Sequence, residues 1–267
     1  IVEGPMSVVY GTDALAGVIN IITKKGDGYS EENTWRVGAR VQEESMGKEY
    51  DFFKDKGLHN ESIDLGFNHK SGLFVNGGYT RNNHGGWQGD LTGREKRWHP
   101  KDQALMNGMF GFQNRNMNVW YRLDFLDEKI FGPNNGSELQ PEKVSDKDFL
   151  TKRYTHQLQS DWKLDNRLDV HAALSYQDYK RRTRTTESDL STGEKWLSSA
   201  EASQDITQYK AWIARATVAW NIAPEFSVQP GVEYQWTQGE GGRIDGTPKV
   251  SDLAFFLSAE YKPWEWL

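Results

Sequence analysis

Hydrophobic and polar residues alternate along most of the chain in segments of about ten residues. Around Val37, the apolar side chains occupy every second position, and the positions between them hold polar residues such as Arg36 and Arg40. Side chains of a β-strand point alternately to opposite faces, so this pattern predicts strands with one apolar and one polar face. Such segments lie at residues 35–42, 63–68, 73–80, 104–113, 117–126, 168–177, 212–222, 226–236 and 253–261.

The connections between these segments alternate between short and long. Short turns are predicted at residues 71–72, 114–116, 165–167 and 223–225, and long polar connections at 44–60, 82–103, 127–150, 183–205 and 238–250. This alternation is typical of an up-and-down transmembrane β-barrel, which has short periplasmic turns and long extracellular loops. About ten strands fit, whereas a barrel with a plugged lumen needs ~22. We therefore expect an all-β fold that forms under half of a larger barrel.

Aromatic residues cluster toward both ends of the predicted strands. The chain contains 11 Trp, 11 Tyr and 12 Phe, and transmembrane barrels concentrate aromatics in girdles at the two lipid interfaces. A soluble β-sandwich, such as a β-rich sugar-binding protein, is the alternative that the alternation alone leaves open. The predicted girdles are Trp162, Trp220, Phe226, Tyr261, Trp264 and Trp266 near the short turns, and Tyr79, Phe125, Tyr176, Trp212 and Trp236 near the long loops.

Composition excludes several classes of function. The mean hydropathy is -0.78, and every apolar run is far shorter than the ~18 residues of a transmembrane helix. The net charge is -6 with Lys and Arg scattered among acidic residues, which argues against nucleic acid as a partner. The sequence has no cysteine and no metal-type Cys/His spacing, phosphate-binding glycine loop or nucleophile elbow. We therefore predict no catalytic residue, no metal site and no cofactor.

The first 25 residues follow a different pattern. Gly4-Pro5 predicts a turn, Gly11 interrupts an apolar run that ends at Tyr10, and Gly17 ends a short helical turn. The apolar segment around Asn20 then predicts a strand that is covered on both faces. From these features alone, the stretch fits a corner of any α/β domain.

The segment GPMSVVYGTDALAGVINIITK, residues 4–24, resembles the end of the plug domain of TonB-dependent outer-membrane receptors. In that family a GP-x-S-x-x-YG segment leads through small residues into GVINIIT. The resemblance implies a division into residues 1–27, the end of a small α+β plug, and residues 28–267, the first part of a transmembrane antiparallel barrel. Glu3 departs from the basic residue that many relatives carry before Gly-Pro. The positions that match the plug motif are Gly4, Pro5, Tyr10, Gly11, Gly17 and Asn20.

The resemblance also implies a function, a location and partners. It implies a receptor in the outer membrane of a Gram-negative bacterium, in contact with lipid, that imports a scarce nutrient with energy from the periplasmic protein TonB. The family usually carries a ferric siderophore, and sometimes cobalamin, haem or an oligosaccharide. We expect the chain to be a fragment that lacks the segment contacting TonB.

Two regions contain candidate ligand-binding residues. In the loop 82–103, His84, Trp87, Trp98 and His99 lie among Arg94, Lys96 and Arg97, which offers aromatic faces and cationic donors to a ferric chelate. On the predicted lumen side, Arg36, Arg122 and Trp120 are the second set of candidates, because guanidinium groups bind carboxylate and catecholate oxygens with paired donors. Ordinary loop packing and contact with the plug are the alternatives.

Two other functional classes remain as alternatives. An outer-membrane barrel enzyme needs a nucleophile, a base and an oxyanion site, and only the pairs His156 with Ser160 and His171 with Ser175 approach this. A passive porin does not explain a start that resembles a plug.

Overall fold

A computed structural model describes residues 2–3, 17–18, 32–242 and 244–262, and all regular secondary structure in them is β. No helix in these residues is long and apolar enough to cross a membrane. The strands are β1 (Val2–Glu3), β2 (Gly17–Val18), β3 (Thr34–Glu44), β4 (Leu58–Asn68), β5 (Leu73–His84), β6 (Lys101–Gln113), β7 (Met117–Gly132), β8 (Lys143–Lys163), β9 (Leu168–Asp189), β10 (Lys195–Leu197), β11 (Ile206–Ala223), β12 (Phe226–Glu240) and β13 (Lys249–Tyr261).

Ten of these strands form one antiparallel sheet in which each strand pairs with the next one along the chain. The order is β3-β4-β5-β6-β7-β8-β9-β11-β12-β13, and the short strand β10 pairs with β9 beside this path. The up-and-down antiparallel architecture predicted from the sequence is therefore confirmed, with the expected number of strands. Every connection on the path is a hairpin, so neighbouring strands need no crossover.

The pairing register separates the sheet into an apolar face and a polar face. Directly paired residues share a face, so the register joins side chains of different strands into continuous rows. One apolar row crosses all ten strands and contains Trp35, Phe67, Val75, Phe110, Tyr121, Leu158, Leu174, Ala214, Tyr234 and Leu253. The adjacent polar row contains Arg36, Gly66, Asn76, Met109, Arg122, Gln157, Ser175, Ile213, Gln235 and Asp252.

Large hydrophobic side chains on the apolar face are exposed to an unusual degree. Trp35 and Phe255 are each 77% exposed, and Leu257 is 64% exposed. Burying one such side chain is worth roughly 1.5–3 kcal/mol, and contiguous exposed apolar surface marks a contact surface. The apolar face therefore requires an apolar neighbour, which a transmembrane barrel finds in lipid.

Aromatic residues of the apolar face border its apolar band at both ends. Toward the long loops, Tyr79 and Phe125 share a row with Tyr154, and Trp212 pairs with Tyr176 and Trp236 in the next row. Toward the short turns, Trp162 pairs with Val170, Trp220 with Leu168 and Tyr261 with Phe226. The described residues thus follow the two predicted girdles; Trp264 and Trp266 lie outside them.

Several strands extend further toward the long-loop end than the sequence predicts. The predicted connection 127–150 is strand up to Gly132 and again from Lys143, and the connection 183–205 is strand up to Asp189 and contains β10. Beyond the apolar band both faces of a strand are polar, so the alternation that reveals a strand disappears there. The hydrophobic pattern therefore detects the apolar part of each hairpin and misses its polar extension.

The short turns have side-chain features that fix their geometry. Gly72 has a φ of +97°, and an added Cβ there would lie 2.0 Å from the carbonyl oxygen of Gln113, so only glycine fits. At two other turns an Asx side chain accepts backbone N–H groups: Asn114 Oδ1 from Met117 at 2.8 Å and Asp165 Oδ1 from Arg167 at 2.6 Å. These contacts explain why the predicted turn positions agree with the structure.

Pro230 lies inside β12, where the sequence predicts a lost ladder bond or a bulge. Between β11 and β12, Thr217 pairs with Gly231 and Trp220 pairs with Val228, but the positions between them, which include Pro230, are not paired. The register is the same on both sides of this gap. The register itself shifts further along, between Asn221 and Ala223. The proline therefore interrupts the ladder without ending the strand.

The N-terminal segment is described only at two short strands. Val2 pairs with Val18 and Glu3 with Gly17 in an antiparallel two-stranded sheet. The plug-motif residues Gly4, Pro5, Tyr10, Gly11 and Asn20 lie outside the described residues. The division into a plug segment and a barrel segment at residue 27 stays a prediction.

The first prediction concerns the two faces of β9. Val170 lies on the apolar face and Asp169 on the polar face. In the full-length protein, a spin label at residue 170 should be accessible to lipid-soluble oxygen, because we expect the apolar face to contact lipid, whereas a label at residue 169 should be accessible to a water-soluble nickel reagent. Equal accessibility of the two labels to oxygen would contradict the assignment of the faces.

The second prediction concerns two glycines of β6. An added Cβ at Gly111 would lie 2.6 Å from Phe74 Cζ and 2.7 Å from Trp120 Cβ, whereas at Gly108 it would meet nothing within 4 Å. Overpacking typically destabilises by roughly 1–3 kcal/mol, so Gly111→Ala should lower the thermal unfolding midpoint of the full-length protein. Gly108→Ala on the same strand is the matched control and should not lower it. Equal midpoints for both variants would show that the polar face near Trp120 adapts freely.

Candidate functional site

Two tryptophans of the loop 85–100 are held together by backbone pairing. Trp87 N–H donates to the carbonyl oxygen of Trp98 at 2.9 Å, and Trp98 N–H donates to that of Trp87 at 3.0 Å. Their rings meet edge to face with centroids 5.5 Å apart, and the His84 ring lies 6.1 Å from that of Trp98. The structure thus brings together three of the four predicted loop residues, which we call the aromatic cluster (His84, Trp87 and Trp98).

His99, the fourth predicted loop residue, lies apart from the aromatic cluster. It is exposed, and its ring comes close to Gly132 at the end of β7, where an added Cβ would lie 3.3 Å from His99 Cε1. Adjacent residues of an extended segment point to opposite sides, so His99 faces away from Trp98. Its role in ligand binding stays a prediction.

The loop that carries the aromatic cluster is fastened to a neighbouring loop and strand. Arg94 donates two parallel hydrogen bonds to Asp146, at 2.9 and 2.6 Å, and a third to the carbonyl oxygen of Asn134 at 2.9 Å. Asn135 Oδ1 accepts from Arg94 N–H at 2.7 Å, and its Nδ2 donates to the carbonyl oxygen of Thr92 at 3.1 Å. Such bidentate pairs combine strength with directional specificity. They fix the loop 85–100 against the loop 133–142.

The cationic residues near the aromatic cluster are largely compensated by acidic partners. Arg97 Nε donates to Asp90 Oδ1 at 2.9 Å, and this hydrogen bond holds the pKa of the Asp90 carboxyl below its ordinary value. Arg94 is paired with Asp146 in the same way. Because each of these two arginines is paired with a carboxylate, their attraction for an anionic ligand is weaker than the sequence predicts.

The predicted lumen arginines lie on the polar face, each paired with an acidic residue. Arg36 Nε lies 3.8 Å from Asp64 Oδ2, and Arg122 donates to both carboxylate oxygens of Asp124. Arg36 and Arg122 belong to the same row but are four strands apart, which corresponds to about 19 Å. The two side chains therefore occupy separate parts of the polar face, which we call the polar wall.

Trp120 lies on the polar face but is buried. It is 8% exposed and packs with Phe74 and Met109. Its indole Nε1 has no hydrogen-bond partner among the described residues. The side chain therefore forms part of the packing of the polar face.

An amide ladder, which sequence reasoning missed, crosses four strands of the polar face below the aromatic cluster. Asn60 Nδ2 donates to Asn82 Oδ1, Asn82 Nδ2 donates to Gln103 Oε1 at 3.3 Å, and Gln103 Nε2 donates to Glu128 Oε2. Asn82 lies two residues before His84 on the same face of β5, or roughly 7 Å along the strand. The ladder appears only once the register is known, because its members are 21 to 25 residues apart in sequence.

A cleft of about 500 Å³ lies on the wall next to the ladder. Its lining combines amides and hydroxyls with two arginines. These groups include Asn60, Thr80, Asn82, Asn107, Arg122, Asp124, Arg153, Thr155 and Gln157. A cleft of this kind hydrogen-bonds the carbonyl and hydroxyl groups of a polar ligand.

The histidines proposed for the enzyme alternative do not assemble a catalytic site. His171 Nδ1 lies 3.0 Å from Asp161 Oδ1, but Ser175 is four residues further along the same strand, a separation of about 13 Å. His156 Nδ1 lies 2.7 Å from the hydroxyl oxygen of Tyr121 on the apolar face. Ser160 is four residues from His156 along the same strand, the same separation as that of Ser175 from His171. The described residues also contain no group of His, Asp and Glu that is arranged to hold a metal ion.

Comparison with known proteins gives matches to solved structures only. No protein-family model and no curated protein sequence matches the chain. The structure matches the ferric yersiniabactin uptake receptor FyuA from Yersinia pestis with a TM-score of 0.53 and 12% identity over 96% of the chain and 47% of FyuA. It matches the copper transporter OprC with a TM-score of 0.55 and 11% identity over 98% of the chain and 47% of OprC.

A third match is BauA, the ferric preacinetobactin receptor from Acinetobacter baumannii. Its TM-score is 0.54, with 10% identity over 98% of the chain and 50% of BauA. The chain thus spans about half the length of these structures, and the three proteins are receptors or transporters, not enzymes. The resemblance drawn from the sequence is confirmed at the level of the fold: the described strands have the architecture of the β-barrel portion of TonB-dependent outer-membrane receptors.

Proposed function

We propose that the chain is part of an outer-membrane receptor for the TonB-dependent uptake of a scarce nutrient, and that this nutrient is a ferric siderophore. The observation that carries the proposal is the ten-strand up-and-down sheet, with its exposed apolar face and polar wall, whose structural matches are uptake receptors. The segment 4–24, with its resemblance to the end of a plug, supports a gated receptor over a passive porin. Cobalamin, haem and an oligosaccharide are the alternative substrates.

The polar wall and the aromatic cluster support two successive contacts with the ligand. Trp98 is 53% exposed at the long-loop end, so it offers a stacking face to a ligand that arrives from outside. The amide ladder and the cleft lie on the polar face, further from the long loops than the aromatic cluster. A ligand that moves from the loop toward the lumen thus exchanges stacking contacts for hydrogen bonds.

The charge pattern of this wall favours recognition by hydrogen bonds. Arg36, Arg122 and Arg215 are paired with Asp64, Asp124 and Glu233. Paired charges present little net field, whereas amides bind carbonyl and hydroxyl groups directly. Chelate groups such as hydroxamate carbonyls and amide linkers fit this wall.

The third prediction tests the proposed function in cells. Deleting the full-length gene in the source bacterium should abolish uptake of one radiolabelled nutrient from a panel of ferric chelates, cobalamin, haem and malto-oligosaccharides. Deleting tonB should abolish the same uptake, because active transport through a plugged barrel depends on energy from TonB. Uptake that persists without TonB but is lost without the receptor gene would contradict the proposal and favour a passive porin.

The fourth prediction concerns the aromatic cluster. In the full-length receptor, the double variant Trp87→Ala/Trp98→Ala should weaken binding of the imported ligand about tenfold or more, because two stacking faces are lost. The amount of receptor assembled in the membrane should not change, since both residues lie outside the barrel strands. Isothermal titration with the purified receptor measures the affinity.

Trp196→Ala is the matched control for this variant. Trp196 is 48% exposed in β10, within another long connection, and its replacement removes an indole without touching the aromatic cluster. Its affinity for the ligand should equal that of the wild type. An unchanged affinity of the double variant would show that Trp87 and Trp98 only stabilise the loop.

A further inference from the structure

The loop 45–57, between β3 and β4, is fastened by three side chains that meet at one carboxylate. Glu43 and His59 are directly paired near the ends of the two strands, and His59 Nδ1 lies 2.6 Å from Glu43 Oε2. The same carboxylate oxygen accepts a hydrogen bond from the hydroxyl of Tyr50 at 3.1 Å. We call Glu43, Tyr50 and His59 the carboxylate hub.

Both ring nitrogens of His59 face oxygen atoms. Nε2 lies 3.1 Å from the carbonyl oxygen of Lys56, which also accepts the backbone N–H of Asp51 at 3.0 Å. A neutral imidazole has one donor and one acceptor nitrogen, whereas the protonated ring has two donors. Neither a carbonyl oxygen nor an ionised carboxylate can donate a hydrogen bond. Only the protonated ring of His59 therefore satisfies both contacts.

The hub is closed to water around the imidazole ring. The side chain of His59 is 2% exposed and that of Glu43 is 14% exposed. Burial alone disfavours a charged imidazole, but a carboxylate in contact with it favours the charge. Without its proton, the ring would turn a lone pair toward an oxygen atom where no water can replace the lost contact, and an unsatisfied buried group is costly. Loss of the proton therefore favours a conformation in which the loop is released.

The charged groups that the neighbouring strands place near His59 are themselves paired. On β5 the residue opposite His59 is Asn83, which does not titrate, and Asn83 pairs in turn with Asp102 on β6. Two residues closer to the apolar band, Glu61 on β4 lies directly opposite Arg81 on β5. Arg81 also forms an ion pair with Asp102 at 3.5 Å. Glu43 is therefore the acidic group that contacts the ring.

The loop itself presents one titratable side chain to the ring. The rings of Tyr50 and His59 lie 6.2 Å apart, and Lys56 contacts His59 through its carbonyl group. Desolvation and the hydrogen bond to Glu43 raise the pKa of Tyr50 above its ordinary value, so its hydroxyl keeps its proton. Histidine ordinarily changes its charge between about pH 5 and 8. His59 is thus the member of the hub that titrates near neutral pH.

The backbone of the loop is strained next to the hub. Phe53 has a φ of +54°, a conformation that residues other than glycine keep only where their surroundings hold them. Its side chain is 51% exposed, and its backbone N–H points to Glu43 Oε2 at 3.5 Å. The hub therefore holds the loop in a form that can relax once the hub opens.

The same loop supports the loop that carries the aromatic cluster. Glu49 Oε1 accepts the backbone N–H of Gln88 at 3.4 Å. A Cβ added at Gly47 would lie 3.4 Å from Trp87 Nε1, so the backbone of the loop 45–57 is in contact with the indole ring. The position of Trp87 thus depends on the position of this loop.

We propose that His59 is a positioning residue for the aromatic cluster: with its proton it fastens the loop 45–57 against Trp87, and without its proton it releases the loop. The fastened loop binds the proton more tightly than the released loop, because only the fastened loop holds two acceptors against the ring. Acidic pH therefore favours the fastened loop, and the fastening is lost as the pH rises. The consequence for uptake rests on the proposed function, in which Trp87 offers a stacking face to the ligand.

The test measures the distance between the two loops in the full-length protein without a ligand. The chain contains no cysteine, and Lys54 and Thr92 are exposed, so Lys54→Cys/Thr92→Cys provides one site for a spin label in each loop. Pulsed electron paramagnetic resonance should give a narrow distance distribution at about pH 5 and a broad one at about pH 9, on either side of the range in which histidine titrates. A width that does not change with pH would overturn the proposal.

Two variants in the labelled background identify the titrating group. Glu43→Gln removes the charge that favours the protonated ring, so the midpoint of the transition should move to lower pH by about one unit or more. His59→Gln should abolish the transition, because glutamine does not titrate. A transition that persists in His59→Gln would come from another group, such as His84, and would overturn the proposal. A structural role alone would change the width equally at every pH.

Glu44→Gln is the matched control for Glu43→Gln. Glu44 is the next residue of β3 and is exposed, and its side chain points to the opposite face of the strand. The control should keep the wild-type midpoint. An equal shift in both variants would overturn the proposal, because it would reflect net charge alone.

The outcomes for the hub and for the proposed function are distinguishable. A protein that imports its nutrient but shows no loop transition contradicts only the role of His59. A protein that shows the transition and imports nothing contradicts only the proposed function, because the distance is measured without a ligand.

Discussion

The hydrogen bonding of the backbone is the constraint on which the rest of the structure depends. A strand in hydrocarbon has no water to satisfy its N–H and C=O groups, so each of these groups must pair with a neighbouring strand. The ten strands meet this condition by pairing each with the next in an antiparallel register, which is interrupted opposite Pro230 and shifts between Asn221 and Ala223. Because the register holds along most of the sheet, the side chains fall into rows, and the rows of the apolar band are distinct from the mostly polar rows of the other face.

The candidate ligand site depends on the same rows. The amide ladder exists because Asn60, Asn82 and Gln103 occupy one row of the polar face on β4, β5 and β6. The aromatic cluster begins two residues beyond that row, where β5 ends at His84. The Arg94–Asp146 pair then ties the loop to β8. A rigid wall thus positions a loop whose own sequence is rich in glycine and polar residues.

The sequence predicts the apolar part of the fold well, and the physical reason is the period of two. Val37, Leu65 and Val170 reveal their strands because apolar and polar neighbours alternate around them. The pattern disappears beyond the apolar band, so the extension of β8 and β9 and the short strand β10 were not predicted.

The site was predicted less completely than the fold. Trp87 and Trp98 were identified by residue type, and their proximity follows from the hairpin that joins β5 and β6. The pairing of Arg94 with Asp146, 52 residues away in sequence, depends on how two loops meet. The burial of Trp120 depends on its contacts with Phe74 and Met109. Neither the Arg94–Asp146 pair nor the burial of Trp120 can be derived from the alternation of apolar and polar residues. Both depend on where side chains that are far apart in sequence lie in the folded protein.

The amide ladder has a direction. Each amide nitrogen donates to the next member, from Asn60 through Asn82 and Gln103, and the ladder ends at Glu128, whose carboxylate only accepts. Reversing one amide would place two donors or two acceptors opposite each other, so the terminal carboxylate fixes the orientation of all three. The ladder therefore has a built-in polarity across the strands, with an amide carbonyl at its β4 end and a carboxylate at its β7 end.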